Sequence, residues 1–187
     1  MEEDIKKCYD VLIKGGVILY PTDTVWGIGC DATNFSAIEK VFKIKQRKET
    51  KSLIILLDNI DKLKDYVEEI PAITYDFIKQ YKNPLTIIYP KAKNLAENVF
   101  AKDGSIGIRI ANDDFCKKLI SQFGKPIVST SANLSQQATP FSFAKIAEEI
   151  KTAVDYIVKY HQNFISSFKP STIIKIGENG NYHIIRP

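Results

Sequence analysis

Histidine and cysteine, the residues that most often act as nucleophiles or metal ligands, are scarce in this sequence of 187 residues. It has two histidines, His161 and His183, and three cysteines, Cys8, Cys30 and Cys116. The cysteines are odd in number, widely spaced and form no Cys-x-x-Cys pair, which argues against a disulfide framework or a zinc site. We expect all three to be buried thiols. A Ser-His-Asp hydrolase or a histidine-based metal site is not expected.

A long apolar segment is also missing. No hydrophobic run approaches the roughly 18 residues of a membrane span. The N-terminal MEEDIKKCYD is too acidic and polar for a secretory signal. We therefore expect a cytoplasmic protein with no membrane contact. With 44% hydrophobic and 26% charged residues, the composition is that of a globular chain, and the length favours a single domain over residues 1–187.

The common phosphate-binding motifs are absent or stand in the wrong context. No G-x-x-x-x-G-K-[ST] sequence occurs, which excludes a P-loop. Gly27, Gly29 and Ala32 match the G-x-G-x-x-A form of the dinucleotide-binding fingerprint, whose first glycine directly follows a strand. In this sequence the polar stretch 21–24 separates that glycine from the apolar run 17–20. The Rossmann alternative is therefore disfavoured.

Helical and strand patterns follow one another along the chain. Apolar residues at helical spacing over 5–13 stop at Gly15-Gly16, and Asn34 is placed to cap a second helix. Further helical patterns cover 60–67, 72–81, 113–123 and 142–151. The predicted strands are 17–20, 52–57, 85–90, 105–111, 126–132, 171–177 and 182–187. This order predicts a single α/β domain with a mixed sheet and flanking helices.

The strand SIGIRIA (105–111) carries one arginine. Because successive side chains of a strand point to opposite faces, Arg109 shares a face with Gly107 and Ala111, opposite the isoleucines. The two small neighbours leave room for a ligand beside the guanidinium. The alternative is that Arg109 lies on a solvated face and keeps its charged group in water.

Other polar side chains favour a binding site for a polyanion. The strand PIVSTSAN ends in Ser131 and Asn133, which share one side; alternatively, the two residues only cap the following turn. Basic residues are concentrated over 43–51, and we expect this run to be solvated and to contribute little to stability. Together with Arg109 and the two threonines of PTDT (21–24), these features describe a site for a polyanion that also carries hydroxyl and amine groups.

Several segments occur in the order found in one known family. They are YPTDTVWGIGCDA, KIKQRKETKSLIIL, NPLTIIYP, SIGIRI, STSANLSQQATP and KPSTIIKIG with the closing IIRP. From about Val17 to Pro187 the chain resembles the YrdC/Sua5/TsaC family, the threonylcarbamoyl-AMP synthases. The resemblance implies a twisted, mixed α/β sheet with a deep basic groove, in the short bacterial form without a further C-terminal domain. Lys48 and Gln136 depart from the family pattern, where proline and glycine are usual.

The resemblance implies an enzyme, a nucleotidyltransferase that makes L-threonylcarbamoyladenylate and pyrophosphate from L-threonine, bicarbonate and ATP. Mg²⁺ is expected to accompany the ATP, and no dedicated protein ligands for the ion are predicted. The product is expected to pass to the tRNA threonylcarbamoyl transferase complex, which modifies adenosine 37 of tRNA. Weak binding of tRNA itself is a further expectation.

The same resemblance assigns site residues by motif. Threonine and its carbamate are expected to contact Tyr20, Thr22, Thr24 and Ser131. The K-x-R motif falls on Lys45 and Arg47, which are expected to be catalytic. Because a two-residue spacing turns side chains about 200° apart on a helix, the second helix is expected to end near Lys45. The nucleotide is expected to contact Lys45, Arg47, Arg109, Ser131, Asn133 and Arg186.

A second class of function stays open at this point, an RNA-binding translation or ribosome-maturation module without adenylate synthesis. A basic groove suits RNA, but the basic run lacks interleaved aromatic residues and no RNP-type sequence is present. We therefore favour the enzyme. RNA binding that depends on salt, without release of pyrophosphate from ATP, would favour the module.

Overall fold

A computed structural model describes residues 1–46, 53–163, 170–177 and 179–187 of the chain. These residues form one mixed sheet of nine strands with flanking helices, which confirms the predicted fold class. The strands are β1 (Ile18–Tyr20), β2 (Gly27–Gly29), β3 (Ile54–Leu57), β4 (Leu85–Tyr89), β5 (Ile106–Ile110), β6 (Ile127–Ser131), β7 (Tyr156–Ile157), β8 (Thr172–Ile176) and β9 (Tyr182–Arg186). The helices are α1 (Glu2–Ile13), α2 (Phe35–Lys45), α3 (Leu63–Tyr66), α4 (Ile73–Gln80), α5 (Asp114–Phe123) and α6 (Glu148–Ala153), with 3₁₀ turns at Ile60–Lys62 and Phe143–Lys145.

Strand order across the sheet differs strongly from chain order. It runs β7-β1-β2-β6-β3-β5-β4-β8-β9. The pairs β1–β7, β3–β5 and β4–β8 are parallel, and the remaining neighbours are antiparallel. Strand β6 lies between β2 and β3, so the end of PIVSTSAN comes next to the chain that follows β1. This order brings together the motifs that lie far apart in the sequence.

The helix ends follow the capping signals in the sequence. The Asn34 side chain accepts a hydrogen bond from the backbone N–H of Ala37 at 3.1 Å and so caps α2. Helix α2 ends at Lys45, where Gln46 adopts the left-handed conformation with φ of 49°, and this confirms the predicted end. Helix α1 stops before Gly15, whose φ is 70°. No helix within the described residues is long and apolar enough to cross a membrane.

The cysteines lie in the hydrophobic core, as predicted. Cys8, Cys30 and Cys116 are all buried and unpaired. Burial raises the pKa of each thiol above its usual range. These side chains therefore pack as small apolar groups.

Two strands were missing from the sequence prediction, β2 and β7. Strand β2 consists of Gly27, Ile28 and Gly29, and glycine has a low preference for strands. Tertiary pairing overrides that preference, because β2 is hydrogen-bonded between β1 and β6. Strand β7 has only two residues and pairs with β1. Since the two glycines lie in a strand and do not open a helix, the match to the dinucleotide fingerprint lacks its strand–turn–helix context, and the Rossmann alternative is wrong.

Gly29 is required by a close approach of the backbone. A Cβ atom at this position would lie 2.4 Å from the carbonyl oxygen of Val128 and 2.7 Å from the ring of Tyr20. At Gly27, in the same strand, the nearest atoms would lie at 3.4 Å, an ordinary contact. Glycine at position 29 therefore lets β2 pack this closely against β6 and Tyr20.

We expect Gly29→Ala to lower the free energy of unfolding by about 1–3 kcal/mol, because the added methyl group overpacks the sheet. Gly27→Ala, which adds the same methyl group in the same strand, is the matched control and should cost clearly less. Denaturant unfolding of both variants measures the difference. Equal losses of stability would show that the contact at Gly29 relaxes without cost.

Candidate functional site

A pocket of about 320 Å³ lies on one face of the sheet. Its floor includes a row of residues that are paired across four strands. Arg109 of β5 pairs with Thr86 of β4, Thr86 pairs with Ile173 of β8, and Ile173 pairs with Arg186 of β9. All four residues line the pocket. Because paired residues in a sheet share a face, the register places the two arginines at opposite ends of one row.

A second row of paired residues completes the floor. It runs from Ser129 of β6 through Ile54 and Gly107 to Ile88 of β4, and each of these residues lines the pocket. A Cβ atom on Gly107 would lie 2.9 Å from the Cγ2 atom of Ile54. Because Gly107 has no side chain, space is left above the sheet next to Arg109 for a ligand.

The predicted alternation along β5 is confirmed within the strand. Gly107 and Arg109 line this pocket, whereas Ile108 and Ile110 line a separate cavity. The prediction for Ala111 is wrong, since it lines the cavity on the isoleucine side. Strand β5 ends at Ile110, so the alternation of faces does not extend to the next residue.

Arg109 is buried, with 3% of its surface exposed. The alternative in which its charged group reaches water is therefore wrong. Its Nη2 atom lies 3.2 Å from the Oδ1 atom of Asp23, whose side chain is also buried. A charge held in the interior beside a pocket is suited to binding an anion, because little water screens it.

Arg186 reaches the same pocket from the edge strand β9. Its Nε atom donates to the carbonyl oxygen of Ser171 at 2.9 Å, and Nη2 lies 3.4 Å from the Ser171 hydroxyl. That hydroxyl is hydrogen-bonded to Thr86 at 2.8 Å. Partial burial, and then the positive charge of Arg109, lower the pKa of the Arg186 guanidinium. The described lining residues include these two arginines and no carboxylate, so this part of the pocket favours anions.

The loop after β1 forms a wall of the pocket with two threonine hydroxyls. Thr22 Oγ1 donates to the carbonyl oxygen of Val25 at 2.8 Å, and it accepts from the backbone N–H of Thr24 at 3.1 Å. The hydroxyl oxygens of Thr22 and Thr24 are 2.9 Å apart. Both residues line the pocket, as the sequence predicted. Their hydrogen bonds fix the two hydroxyls relative to each other.

Tyr20 lies away from the described lining of this pocket. It is buried, and its hydroxyl donates to the carbonyl oxygen of Val128 at 3.1 Å. Strand β1 ends at Tyr20 and the chain bends over 23–25, so the segment is not extended as the prediction required. The observed contacts connect β1 to β6, and a contact between Tyr20 and substrate stays a prediction.

Lys45 connects the end of α2 to the end of β6. Its ammonium group donates to the backbone carbonyl oxygens of Ser131 and Asn133, the latter at 2.6 Å. The backbone N–H of Ser135 in turn donates to the carbonyl oxygen of Lys45 at 2.8 Å. Only 3% of Lys45 is exposed. The expectation that Lys45 belongs to a solvated run is therefore wrong.

Ser131 and Asn133 differ in their position at the site. Ser131 lines the pocket, whereas Asn133 lies outside its described lining. The Asn133 side-chain amide donates to the carbonyl oxygens of Leu134 and Gln137, at 3.1 and 2.7 Å. Asn133 thus holds the turn that follows β6, in agreement with the capping alternative. Its Oδ1 atom is buried without a hydrogen-bond partner in the part of the chain that the structure describes.

Three residues of the basic run, Arg47, Lys48 and Lys51, lie outside the described residues. The roles expected for Arg47 therefore stay predictions. Among the residues that the structure describes, no cluster of three or more histidine, cysteine, aspartate or glutamate side chains is placed to hold a metal ion.

Sequence reasoning missed three residues that contact the arginines or their partners, Asp23, Thr86 and Ser171. Asp23 stands in the PTDT segment, between the two threonines that were predicted to contact threonine and its carbamate. Thr86 occupies a predicted strand, but the strand that pairs with it was unknown. The signal for Thr86 and Ser171 is therefore tertiary, because it depends on which strands are neighbours.

Comparisons with known proteins identify the family of the chain. The sequence profile of the Sua5/YciO/YrdC family, described as "Telomere recombination", matches residues 10–187. The chain belongs to this family. A threonylcarbamoyl-AMP synthase of Pseudoalteromonas translucida is 39% identical over 165 residues, which are 87% of each chain. A threonylcarbamoyl-AMP synthase of Photobacterium profundum is 37% identical over 138 residues, 71% of this chain and 74% of that one.

A solved structure of this Sua5/YciO/YrdC family shares the fold. The crystal structure of P. abyssi Sua5 complexed with L-threonine superimposes with a TM-score of 0.88 at 25% identity. The match covers all of this chain and 54% of the Sua5 chain, so the chain spans about half the length of that protein. The resemblance that the sequence motifs indicated is thereby confirmed for the family and the fold.

Proposed function

We propose that the chain is an L-threonylcarbamoyladenylate synthase, a nucleotidyltransferase that uses L-threonine, bicarbonate and ATP. One observation carries the proposal. A member of a family that contains threonylcarbamoyl-AMP synthases has a buried arginine, a second arginine and a pair of threonine hydroxyls around one pocket. The pocket volume of about 320 Å³ lies at the lower end of the range of roughly 300–1,000 Å³ for small-molecule sites.

The lining suits the two halves of the proposed product. Threonine carries a hydroxyl, an amine and a carboxylate, and the wall formed by Thr22 and Thr24 offers oxygen atoms for hydrogen bonds. Ser131 borders the same space. Phosphate oxygens favour guanidinium groups, which Arg109 and Arg186 supply from the sheet. Threonine and its carbamate are therefore assigned to the loop side and the phosphates to the arginine side.

The proposed reaction has two steps. The amine of threonine attacks the carbon of bicarbonate, and loss of water leaves a carbamate. A carbamate oxygen then attacks the α-phosphorus of ATP; the new O–P bond forms as the bond to the β-phosphate oxygen breaks, and pyrophosphate leaves. Two anions must approach each other in the second step, so cationic groups that are held in place lower its barrier. Arg109 and Arg186 are suited to that task without acting as nucleophiles.

Lys45 and Arg47 are proposed to act at the nucleotide, as the K-x-R motif of the family implies. The contacts of Lys45 give it an additional task, because its ammonium group holds the backbone at Ser131 and Asn133. This contact places the Ser131 side chain at the pocket and Asn133 next to it. Binding of the nucleotide to Asn133 is proposed because the Ser-x-Asn motif of the family implies it.

Mg²⁺ is proposed to enter with ATP and, when bound, to neutralise charge on the triphosphate. The described lining offers hydroxyl oxygens and guanidinium groups. These groups fit a metal–nucleotide complex that is held through its phosphate oxygens. The residues assigned to hold that complex are Arg109, Arg186 and the Ser131 hydroxyl.

The proposed product is a reactive mixed anhydride, which needs an acceptor close by. We assign transfer to tRNA to the threonylcarbamoyl transferase complex, in the cytoplasm. Weak binding of tRNA to this chain is part of the same proposal, since positive charge lines the pocket.

Pyrophosphate release is expected to require threonine and bicarbonate together, because neither alone provides the attacking carbamate. An assay that couples pyrophosphate to a colorimetric readout, with each substrate omitted in turn, tests this expectation. L-serine in place of threonine should react about 10–200-fold more slowly, the discrimination that one methyl group provides. Release of pyrophosphate without bicarbonate, or of orthophosphate instead, would contradict the mechanism. Salt-dependent RNA binding with no pyrophosphate release would favour the RNA-binding module.

A further inference from the structure

Asp23 lies between Thr22 and Thr24 in the loop and contacts the buried arginine of the pocket. Its Oδ1 atom is 3.2 Å from Nη2 of Arg109, and both side chains are almost fully buried. We propose that Asp23 is a positioning residue that orients the Arg109 guanidinium toward the phosphate side of the pocket. The inference rests on the proposed function, because it assigns the phosphates to that arginine.

The 3.2 Å distance joins Asp23 to one nitrogen of the guanidinium, Nη2. Arg109 Nε and Asp23 Oδ1 are buried and have no hydrogen-bond partner within the described part of the chain. At 3.2 Å the pair is thus a charge contact without the geometry of a hydrogen bond. A guanidinium is planar and presents its N–H groups in a fixed fork. The carboxylate therefore restricts the direction of that fork while N–H groups stay available for phosphate oxygens.

Asp23 is itself held on two further sides. Its Oδ2 atom accepts from the backbone N–H of Asn112 at 3.2 Å. Its own backbone N–H donates to Asp113 Oδ2 at 3.1 Å. The other oxygen of Asp113 caps α5 by accepting from the backbone N–H of Cys116 at 2.8 Å. The position of Asp23 is therefore set by the junction between β5 and α5, which follows Arg109 in the chain.

This arrangement joins the two sides of the pocket. The hydroxyls of Thr22 and Thr24 flank Asp23 in the loop, and Arg109 stands on the sheet. Asp23 therefore belongs to the loop that carries the threonines and also contacts the arginine of the sheet. Asp23 also places a negative charge near Arg109, whose positive charge lowers the pKa of Arg186. It thus offsets repulsion between the arginines when no phosphate is bound.

A double-mutant cycle of Asp23→Asn and Arg109→Gln tests whether Asp23 acts through Arg109. The probe is α,β-methylene-ATP with Mg²⁺, whose binding to the full chain is measured by calorimetry. Asp23→Asn keeps the shape of the side chain and removes its charge. We expect it to raise the Kd about tenfold in the otherwise native chain and less than about twofold in the Arg109→Gln background.

Asp103→Asn is the matched control. Asp103 forms an exposed ion pair with Lys175 at 3.0 Å, away from the described lining of the pocket. This variant should bind the analogue with the native Kd. If Asp23→Asn does not fold, Asp23→Glu replaces it in the same cycle, because it keeps the charge but displaces it by one methylene group.

Equal increases in Kd in both backgrounds, or a native Kd in Asp23→Asn, would overturn the role of Asp23. The proposed function is tested separately by pyrophosphate release from ATP. A chain that binds the analogue but releases no pyrophosphate would refute the proposed function and still report on Asp23. A native chain that binds no analogue would overturn both.

Discussion

Arg109→Ala is expected to lower kcat/KM for pyrophosphate release at least about 100-fold, the loss typical for removing one positioned charge-stabilising group. The Arg109 side chain is buried in the sheet, where charge is poorly screened. The approach of the carbamate to the α-phosphate builds negative charge on the phosphate side of the pocket. Without Arg109, the remaining described arginine of the lining is Arg186, at the other end of the row.

Stability must be measured beside activity in this variant. Removing Arg109 leaves the buried Asp23 carboxylate without its counter-charge, and breaking such a pair costs about 3–5 kcal/mol. Arg109→Lys keeps the charge but not the planar fork, so it is the matched comparison. It should be more stable than Arg109→Ala and still slower than the native chain. A folded Arg109→Ala variant with native turnover would show that Arg109 has no role in the reaction.

Lys45→Ala is expected to lower the free energy of unfolding by about 3 kcal/mol or more, because it removes two charge-assisted hydrogen bonds worth about 1.5–3 kcal/mol each. The carbonyl oxygens of Ser131 and Asn133 lose their donor next to the pocket. Since Ser131 lines the pocket, we also expect kcat/KM to fall at least about 100-fold, as for other losses at a preorganised site. Denaturant unfolding and the pyrophosphate assay measure the two effects.

The matched control is Lys43→Ala. Lys43 stands in the same last turn of α2 but is exposed. Loss of a surface lysine changes stability by about 0.5 kcal/mol or less. If Lys45→Ala changed the free energy of unfolding and kcat/KM as little as Lys43→Ala does, the contact of Lys45 with the end of β6 would not be needed for stability or activity.

Local signals in the sequence were sufficient for most elements of the fold. Asn34 caps α2, Gly15 follows the end of α1, and the two-residue spacing of the K-x-R motif led to the correct helix end at Lys45. Each of these signals acts within a few residues, through a hydrogen bond or an allowed backbone angle. The alternation along β5 likewise placed Arg109 and Gly107 on one face.

The burial and the contacts of individual side chains were harder to predict than the positions of helices and strands. Lys45 looked like a member of a solvated run because its neighbours in the sequence are charged. Its surroundings are instead the backbone at Ser131 and Asn133, 86 and 88 residues away along the chain. Strand β2 was missed for a similar reason, since two of its three residues are glycines and its stability comes from β1 and β6.

The sequence by itself determined the family, the helix ends and the face of the sheet that carries Arg109, because motifs and side-chain periodicity are local properties. Only the tertiary structure decided that Arg109 and Arg186 stand in one row, that Asp23 contacts Arg109, and that Lys45 is buried. The reason is that strand order and register are set by the packing of the whole sheet. No local pattern specifies which strands become neighbours.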